Sequence, residues 1–214
     1  EIRLSLVGSE MCIRDSIDDN CGRIAAVDSS IYPLNPKARL LGTAFTVNAP
    51  AGDNLLFHKA LDMAQPGDVI VLANKGSMSR ALCGEIMSNY AKSRGIAGII
   101  IDGCVRDSYT LSQMDFPVYA KGITPNGPYK NGPGEMNFPV SFAGIVINPG
   151  DIIVGDSDGL LAIKPDEHTA ELAEIARKYH AGEEKQLEGI LTRGEWPRPW
   201  VDEALKKVGF EFVD

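Results

Sequence analysis

The stretch at residues 95–122, GIAGIIIDGCVRDSYTLSQMDFPVYAKG, decides the fold. It begins with the short, continuously apolar segment IAGIIID, which predicts a strand buried on both faces. The segment SYTLSQM then predicts a short helix, and FPVYAKG predicts a further strand. A strand, a helix and a strand in this order indicate an α/β protein, and the charged pair Arg106-Asp107 directly follows the first strand.

The segments before this stretch repeat the same alternation. RLLGTAFTVNA (39–49) and DVIVLAN (68–74) predict strands, because they are short and rich in apolar and β-branched residues. Between them we predict a helix with Asp53 as its N-cap, and Pro66-Gly67 ends it. After the loop KGSMS, residues 80–95 predict a second helix that ends at Gly95.

The second half of the chain is predicted to be richer in strands. The loop at 122–139 is rich in Gly and Pro, so no helix is expected there. VSFAGIVI, DIIVGD and GLLAI predict three strands joined by tight turns, and a long amphipathic helix is expected from Pro165 towards residue 190. The break GEWPRPW and a short helix, VDEALKKV, follow. The fold class is therefore mixed α/β, with a mixed sheet and a C-terminal helix.

A chain of 214 residues is long enough for one domain with its own core. The first 16 residues, EIRLSLVGSEMCIRDS, show no clean periodicity and resemble adapter sequence read as coding, so we interpret them as a non-native leader. We expect a single domain over residues 17–190 and a C-terminal tail with a short helix over 191–214.

Charge and composition exclude several kinds of partner. The net charge of −8 argues against a nucleic-acid surface, since phosphates need a basic face, but one local arginine can still attract a small acidic substrate. No run of 18 apolar residues occurs, so no membrane span is predicted. Cys83 and Cys104 lie inside apolar patterns and form no C-x-x-C pair, which predicts buried free thiols and a cytoplasmic protein.

Arg106 and Asp107 are the first candidates for chemistry, since open α/β sheets bind ligands at the carboxyl ends of strands. A guanidinium fits a carboxylate through two parallel hydrogen bonds. A single Asp with water partners suits Mg²⁺, and Glu85 could hold those waters. A structural ion pair that caps the following helix, with Glu85 solvated, explains the same residues, and spacing alone leaves both interpretations open.

The segment CGEIM (83–87) is the second candidate, because it lies near the start of a predicted helix. Gly84 would allow a close approach of the backbone to a ligand. If the helix proper begins here, the N–H groups of Ile86 and Met87 lack partners within the helix and can bind an anion.

Other residues give weaker signals. The three histidines, His58, His168 and His180, share no metal-ligand spacing and are expected to be structural or surface residues. Lys75 and Lys121 could form Schiff bases, but surface lysines far outnumber catalytic ones. No G-x-S-x-G or Cys-His signature supports an acyl-enzyme.

The chain resembles a known family over about residues 20–190. The match rests on PGDVIVLANKGSMSRALCGEIMSNYAKSRGIAGIIIDGCVRD, then FPVYAKGITPNGP and MNFPVSFAGIVINPGDIIVGDSDGLLAI. A Gly-Glu, twenty residues, an Arg-Asp, and then N-x-P-V and P-G-D-x-x-x-x-D-x-D-G occur in order. This pattern resembles the RraA-like family, whose catalytic branch contains the 4-hydroxy-4-methyl-2-oxoglutarate/4-carboxy-4-hydroxy-2-oxoadipate aldolases.

The resemblance implies a β/β/α swivelling-type sandwich, assembled as a homotrimer or a hexamer of trimers with active sites between subunits. It implies a class II aldolase that uses Mg²⁺ or Mn²⁺ and releases pyruvate from small oxo acids. Asp107 would bind the metal, Glu85 would hydrogen-bond the metal-bound water, and Arg106 would hold the pyruvate moiety, whose carboxylate the amides after Glu85 would receive. Glu183 or Glu184 of a neighbouring subunit would also reach those waters.

The resemblance also sets the alternative. The family has a non-catalytic branch, regulators that bind an RNA-degrading endonuclease and lack the metal-binding aspartate. Asp107 is present here, which favours the enzyme. Aldol cleavage leaves a pyruvate enolate, and loss of CO₂ from oxaloacetate gives the same enolate, so a decarboxylase side activity is expected. No histidine is expected at the site, so a bound water is the expected base.

Overall fold

The computed structural model describes residues 17–18, 22–165 and 169–210, so the interpretation of residues 1–16 lies outside the described part. The strands are β1 Tyr32–Pro33, β2 Leu40–Asn48, β3 Asp68–Cys83, β4 Gly98–Val105, β5 Val118–Ile123, β6 Glu135–Met136, β7 Val140–Phe142, β8 Ile145–Ile147, β9 Ile152–Gly155 and β10 Leu160–Ile163. The helices are α1 Leu55–Met63, α2 Glu85–Ser93, α3 Ser108–Gln113, α4 Thr169–Arg193 and α5 Pro199–Lys207.

One mixed sheet organises the protein, in the order β1-β5-β4-β3-β2-β9-β10, with β6 paired to β2. Strands β2 to β5 run parallel, whereas β1, β9 and β10 are antiparallel to their neighbours. The sheet is nearly closed, because the Val27 N–H donates to Leu160 O of β10 and the Tyr119 hydroxyl on β5 donates to Asp156 O at 2.8 Å. The prediction of a mixed α/β fold with a mixed sheet and C-terminal helices is confirmed.

The two faces of the sheet carry separate cores, as the alternation of side chains along a strand requires. Ile99 and Ile101 of β4 pack into the cluster that contains Phe57 of α1 and Leu111 of α3. Ile100 packs into the other cluster, with Phe142 of the β7–β8 hairpin. The parallel strands therefore have two different environments, one on the face beside the helices and one on the face beside the hairpin.

The predicted loop at 75–79 and the predicted helix start at residue 80 are wrong. Strand β3 continues to Cys83, and α2 begins only at Glu85. Its pairing with β4 shifts register between Ala73 and Ser77 and again before Ala81, which marks irregularities in the strand. Burial of Ala81 and its neighbours in the sheet outweighs the helical pattern of this segment.

Two smaller predictions are also wrong. VSFAGIVI forms two strands, because Ala143 and Gly144 both have positive φ (40° and 91°) and make a two-residue hairpin loop between Phe142 and Ile145. The N-cap of α1 is Asn54 instead of Asp53. The Asp53 carboxylate still accepts a hydrogen bond from the Leu55 N–H at 2.9 Å, so its polar role at the helix start remains.

The C-terminal helices have little apolar contact with the rest of the described chain. No residue of α5 is buried, and Leu191, Trp196 and Trp200 are exposed. The expected long helix is present as α4, and no helix in the described segments is long and apolar enough to span a membrane. Cys83 and Cys104 are buried free thiols, as predicted.

Candidate functional site

A cavity of about 250 Å³ opens at the carboxyl ends of β3 and β4, on the side of the helices. Most of the predicted site residues contribute to its wall. The lining residues are Asn54, His58, Ala81, Leu82, Cys83, Gly84, Ile86, Met87, Arg106, Asp107, Pro128 and Lys130. Glu85 begins α2 beside them, and its exposed side chain is not part of the described lining.

Asp107 is held in an unusual backbone conformation. Its φ is 55° and its ψ is 37°, a left-handed conformation that few residues other than glycine adopt. It occupies the N-cap position of α3, but its side chain makes no capping hydrogen bond there. Instead, the Glu85 N–H donates to Asp107 Oδ2 at 3.0 Å. The carboxylate therefore contacts the start of α2, whereas Asp107 caps α3, as the structural interpretation expected, through its backbone carbonyl, which accepts from the Leu111 N–H at 3.0 Å.

Arg106 lies beside this carboxylate without a tight ion pair. Its Nε is 3.8 Å from Asp107 Oδ2, and the two side chains are 50% and 41% exposed. An exposed pair at this distance contributes about 0–1 kcal/mol, so stability alone does not account for it. The Arg106 backbone N–H donates to Cys83 O at 3.0 Å, which fixes the guanidinium stem at the end of β3.

Gly84 lets the two charged residues approach the start of α2. A Cβ at this position would overlap Asp107 Oδ2 and lie 3.0 Å from Arg106 Cγ. Helix α2 begins directly after Gly84, at Glu85. The amides of Ile86 and Met87 therefore lie in its first turn, as the sequence-based hypothesis required for N–H groups without a partner in the helix. First-turn N–H groups have no acceptor within their own helix, and Ile86 and Met87 both line the cavity.

Cys83 is a wall residue and not a nucleophile. Burial raises the pKa of its thiol to about 11, against hydrogen bonds with Ser88 and the Gly84 carbonyl that act to lower it. The thiolate is the reactive form of cysteine, so a thiol that stays protonated at neutral pH is inert. Ser88 donates its hydroxyl to Gly84 O at 3.0 Å and so supports the turn that precedes α2.

Three polar residues of the cavity were missed or misjudged from the sequence, because they lie far apart in the chain. They are Asn54, His58 and Lys130. His58 of α1 lines the wall, so the expectation that no histidine reaches the site is wrong. Burial and the charge of Lys130 lower the pKa of His58, whereas Asp62 acts to raise it, so its neutral form is favoured at neutral pH. Asn54 is buried, and within the described chain its Oδ1 has no hydrogen-bond partner.

The Gly/Pro-rich loop reaches the cavity through Pro128 and Lys130, as its predicted role in walling a pocket requires. Asp53 holds it: Oδ2 accepts from the N–H groups of Asn131 at 2.5 Å and Gly132 at 3.1 Å. Arg80 holds the other end, since its Nη1 donates to Gly127 O at 2.6 Å. The position of the Lys130 ammonium therefore depends on side chains of two distant segments.

Substitution of Asp53 by asparagine is expected to reduce stability at neutral pH by about 1–2 kcal/mol, because charged hydrogen bonds to the loop are lost. Burial acts to raise the pKa of Asp53, but bonds from Leu55, Asn131 and Gly132 together hold it below the ordinary value of 3.8. A lowered pKa stabilises the fold above the ordinary value, and this contribution disappears as pH falls through the folded value.

Urea unfolding of wild type and Asp53→Asn over a pH series down to 3 measures this difference. The two stabilities should converge as pH falls below 3.8. Asp115→Asn, at an exposed position, should show no such convergence. A gap between wild type and Asp53→Asn that is constant with pH would show that the Asp53 charge does not hold the loop.

A divalent cation fits this donor set. Asp107 is the carboxylate in the described lining, and no group of three or more His, Cys, Asp or Glu that could hold a metal occurs among the described residues. A zinc site needs such a group, whereas Mg²⁺ takes one or two carboxylates and keeps its waters. Glu183 and Glu184 lie on α4, where Glu184 is 3.6 Å from His180 Nε2, and neither belongs to the described lining of this chain.

The family is settled by a match to residues 11–162 of the chain, which fit the family model described as Aldolase/RraA. The chain belongs to the RraA-like family. A protein of Halalkalibacterium halodurans named "Putative 4-hydroxy-4-methyl-2-oxoglutarate aldolase" is 38% identical over 194 residues, which cover 91% of this chain and 90% of that protein. The resemblance noted in the sequence is therefore confirmed at the level of the family.

Two solved structures of similar fold cover most of this RraA-like chain. An uncharacterized protein from Pseudomonas syringae pv. tomato str. DC3000 is 27% identical, with a TM-score of 0.78, and the match covers 90% of this chain and 89% of that one. The RNA-processing inhibitor RraA from Thermus thermophilis is 28% identical, with a TM-score of 0.66 and coverage of 74% and 97%. The similar proteins thus include one named as an aldolase and one named as an inhibitor.

Proposed function

We propose that this RraA-like protein is a class II aldolase that cleaves 4-hydroxy-2-oxo dicarboxylic acids, such as 4-hydroxy-4-methyl-2-oxoglutarate, and releases pyruvate. One observation carries the proposal. Asp107 and Arg106 face the start of α2 across Gly84, inside a cavity, in a contact too long and exposed to serve stability. The H. halodurans relative supports the choice of substrate through its name.

The oxo-acid end of the substrate is assigned to the positive end of this cavity. Arg106 and the N–H groups of Ile86 and Met87 surround the position where a carboxylate would bind. In this binding mode the same groups would lie close to the 2-oxo oxygen, where negative charge develops as the C3–C4 bond breaks. Fixed donors at such a position stabilise the transition state more than the ground state.

The opposite end of the substrate is assigned to Lys130 and Asn54. A dicarboxylic acid has a second carboxylate, and the Lys130 ammonium on the loop side of the cavity complements it. Asn54 Oδ1 lacks a hydrogen-bond donor among the described residues and can accept one from a substrate hydroxyl. Substrate binding would thereby satisfy a buried polar atom, and a substrate without the hydroxyl would not.

The proposed reaction breaks the C3–C4 bond of the substrate. A base takes the proton of the 4-hydroxyl, the oxygen lone pair forms the new carbonyl, and the C3–C4 electrons pass to C3 and the 2-oxo oxygen as an enolate. Protonation at C3 then gives pyruvate. His58, whose lowered pKa favours the neutral imidazole, is a base available in the wall for the first proton transfer. A bound water remains the second candidate.

We assign the divalent metal, Mg²⁺ or Mn²⁺, to Asp107. When bound, the metal supplies Lewis-acid stabilisation of the charge on the 2-oxo oxygen. The Glu85 N–H holds Oδ2 of Asp107, which orients the carboxylate towards the cavity. The Glu85 side chain, and Glu183 or Glu184 of a neighbouring subunit, are proposed to hydrogen-bond the waters that complete the coordination.

This last assignment requires a homo-oligomer, and a homotrimer or a hexamer of trimers is proposed. The exposed apolar residues of α4 and α5, Leu191 and Trp200 among them, supply the apolar surface that such an assembly would bury. Within one chain, Glu183 and Glu184 of α4 do not belong to the described lining of the cavity, so they would have to reach it from a neighbouring subunit.

Release of pyruvate, coupled to lactate dehydrogenase, tests the proposal. The substrates are 4-hydroxy-4-methyl-2-oxoglutarate and oxaloacetate, each with Mg²⁺ and with EDTA. Pyruvate should form from both with Mg²⁺, and EDTA should reduce the rate to the uncatalysed background. Activity that survives EDTA would contradict the class II mechanism, and borohydride would then test a Schiff base at Lys75 or Lys121.

A non-catalytic regulator that binds an RNA-degrading endonuclease is the second candidate, favoured by the similarity to the Thermus inhibitor of RNA processing. It predicts no pyruvate from either substrate and no effect of Mg²⁺ on the folded protein. The same assay therefore separates the two candidates, provided that the oligomer is shown to be folded.

A further inference from the structure

A second cavity lies on the opposite side of the sheet from the proposed aldolase site. Its volume is about 520 Å³, and it opens between the middle parts of β3, β4 and β5 and the segment around the β7–β8 hairpin. Lys75, Asp102 and Lys121 line it, together with Asn48 and Ser141. None of its lining residues belongs to the first cavity, so it is a separate space with its own chemistry.

Asp102 is the central polar group of this second cavity. It is only 6% exposed, because it lies within β4, whose residues are all buried. Its Oδ2 accepts a hydrogen bond from the Gly76 N–H at 2.8 Å. Its Oδ1 is 3.6 Å from Lys121 Nζ and, within the described chain, has no hydrogen-bond partner. The Lys121 ammonium is an ion-pair partner of this oxygen but lies beyond hydrogen-bond distance, so a ligand that donates a hydrogen bond to Oδ1 would satisfy a buried acceptor.

The irregularity in β3 builds this arrangement. Lys75 and Gly76 both have positive φ, 58° and 65°, in the segment where the pairing with β4 shifts register. For lysine this left-handed conformation is strained, and the surrounding structure must offset the strain. The irregularity directs the Gly76 N–H to Asp102 and places Lys75 beside the cavity, opposite Lys121.

The charged side chains of the cavity wall determine which kind of ligand can bind there. Two lysines against one carboxylate give the wall a net positive charge, which attracts an anion. The open acceptor on Asp102 selects a hydrogen-bond donor on that same ligand, since an aprotic anion would face a carboxylate oxygen. We propose that this cavity is a binding site for a small anion that carries a hydroxyl group, with Lys75 and Lys121 on the anionic part and Asp102 Oδ1 on the hydroxyl.

Two sources share this chemistry, a hydroxycarboxylic acid and a hydrogen phosphate, and matched pairs of probes distinguish them. Malate differs from succinate by a hydroxyl, and phosphate near neutral pH carries a hydroxyl that sulfate lacks. Each is titrated into the full-length ¹⁵N-labelled protein, with binding followed in amide TROSY spectra. The Gly76 N–H, bonded to Asp102, reports on the second cavity, and the Glu85 N–H, bonded to Asp107, reports on the first.

We expect saturable shifts of the Gly76 signal. Malate should bind at least about tenfold more tightly than succinate, or phosphate at least about tenfold more tightly than sulfate. The pair with the tighter binder identifies the source. Equal affinities within both pairs would overturn the proposal, because Asp102 would then select nothing. Shifts confined to the Glu85 signal would also overturn it, since the probes would bind only in the first cavity.

Substitution identifies the groups involved. Lys121→Met should weaken binding at Gly76 by about tenfold or more, as expected for loss of a charged hydrogen-bond donor. Lys37→Met, at an exposed position outside the described lining, is the matched control and should leave the affinity unchanged. Lys75→Met gives the same test at a more exposed site if Lys121→Met does not fold. Unchanged affinity in a folded Lys121→Met or Lys75→Met protein would overturn the proposal.

Discussion

Replacement of Asp107 by alanine is expected to lower kcat for pyruvate release by more than about a thousandfold. Loss of a single donor to a developing oxyanion costs about 10²–10³ in kcat, and this change removes the proposed metal ligand altogether. Asp107 is the carboxylate in the described lining, so no neighbouring side chain there can replace it. The coupled assay with 4-hydroxy-4-methyl-2-oxoglutarate measures the effect.

Stability should fall by about 1–2 kcal/mol in the same variant, because the hydrogen bond from the Glu85 N–H to Asp107 Oδ2 is lost. The Asp107 side chain makes no capping hydrogen bond to α3, and its pairing with Arg106 is exposed. Alanine adopts the left-handed conformation of this position less readily than aspartate, which adds to the cost. Asp115→Ala, an exposed aspartate just after α3, is the control and should keep full activity. A folded Asp107→Ala enzyme with near-normal kcat would remove Asp107 from the mechanism.

Replacement of Gly84 by alanine is expected to reduce kcat/KM by about a hundredfold. The new Cβ would overlap Asp107 Oδ2 and crowd Arg106 Cγ, so both charged groups would have to move away from the start of α2. A displacement of about 1 Å at reacting groups can cost about 10²-fold. The backbone at Gly84 is extended, with φ of −159°, so steric contact and not the backbone conformation is responsible.

Gly127→Ala is the matched control for this substitution. Gly127 lies on the loop beside the cavity, and a Cβ there would meet nothing within 4 Å. Its kinetics should be close to those of the wild type. If Gly84→Ala retains full kcat/KM in the coupled assay, the close approach of Asp107 and Arg106 to α2 has no role in the reaction.

The apolar runs predicted the central sheet well. Strands β2, β4 and β5 were expected from short continuous runs of apolar and β-branched residues, and burial on both faces explains why that signal is so clear. Arg106 and Asp107 were placed at the end of β4 for the same reason. Gly84 was expected to allow a close approach of its backbone to a ligand, and the structure shows a close approach of the Asp107 and Arg106 side chains at this position.

The remaining features depend on contacts that no local pattern encodes. The second half of β3 resembles a helix in sequence, yet pairing with β4 makes it extended. His58 and Lys130 reach one cavity from segments more than seventy residues apart. Asp53 bonds to Asn131, 78 positions away, so its link with the loop is invisible in the sequence. Such long-range pairs appear only when the sheet has brought their segments together.

The polar groups of the first cavity depend on the amino-acid sequence in two different ways. The N–H groups of Glu85, Ile86 and Met87 belong to the main chain, so substitutions at these positions other than proline keep them. The carboxylate of Asp107, in contrast, depends on one codon. Sequence drift could therefore erase the proposed metal ligand and leave intact the backbone donors that are proposed to bind the anion. A single scaffold can in this way lose one chemistry and retain a pocket, which gives an evolutionary route between an enzyme and a binding protein of similar fold.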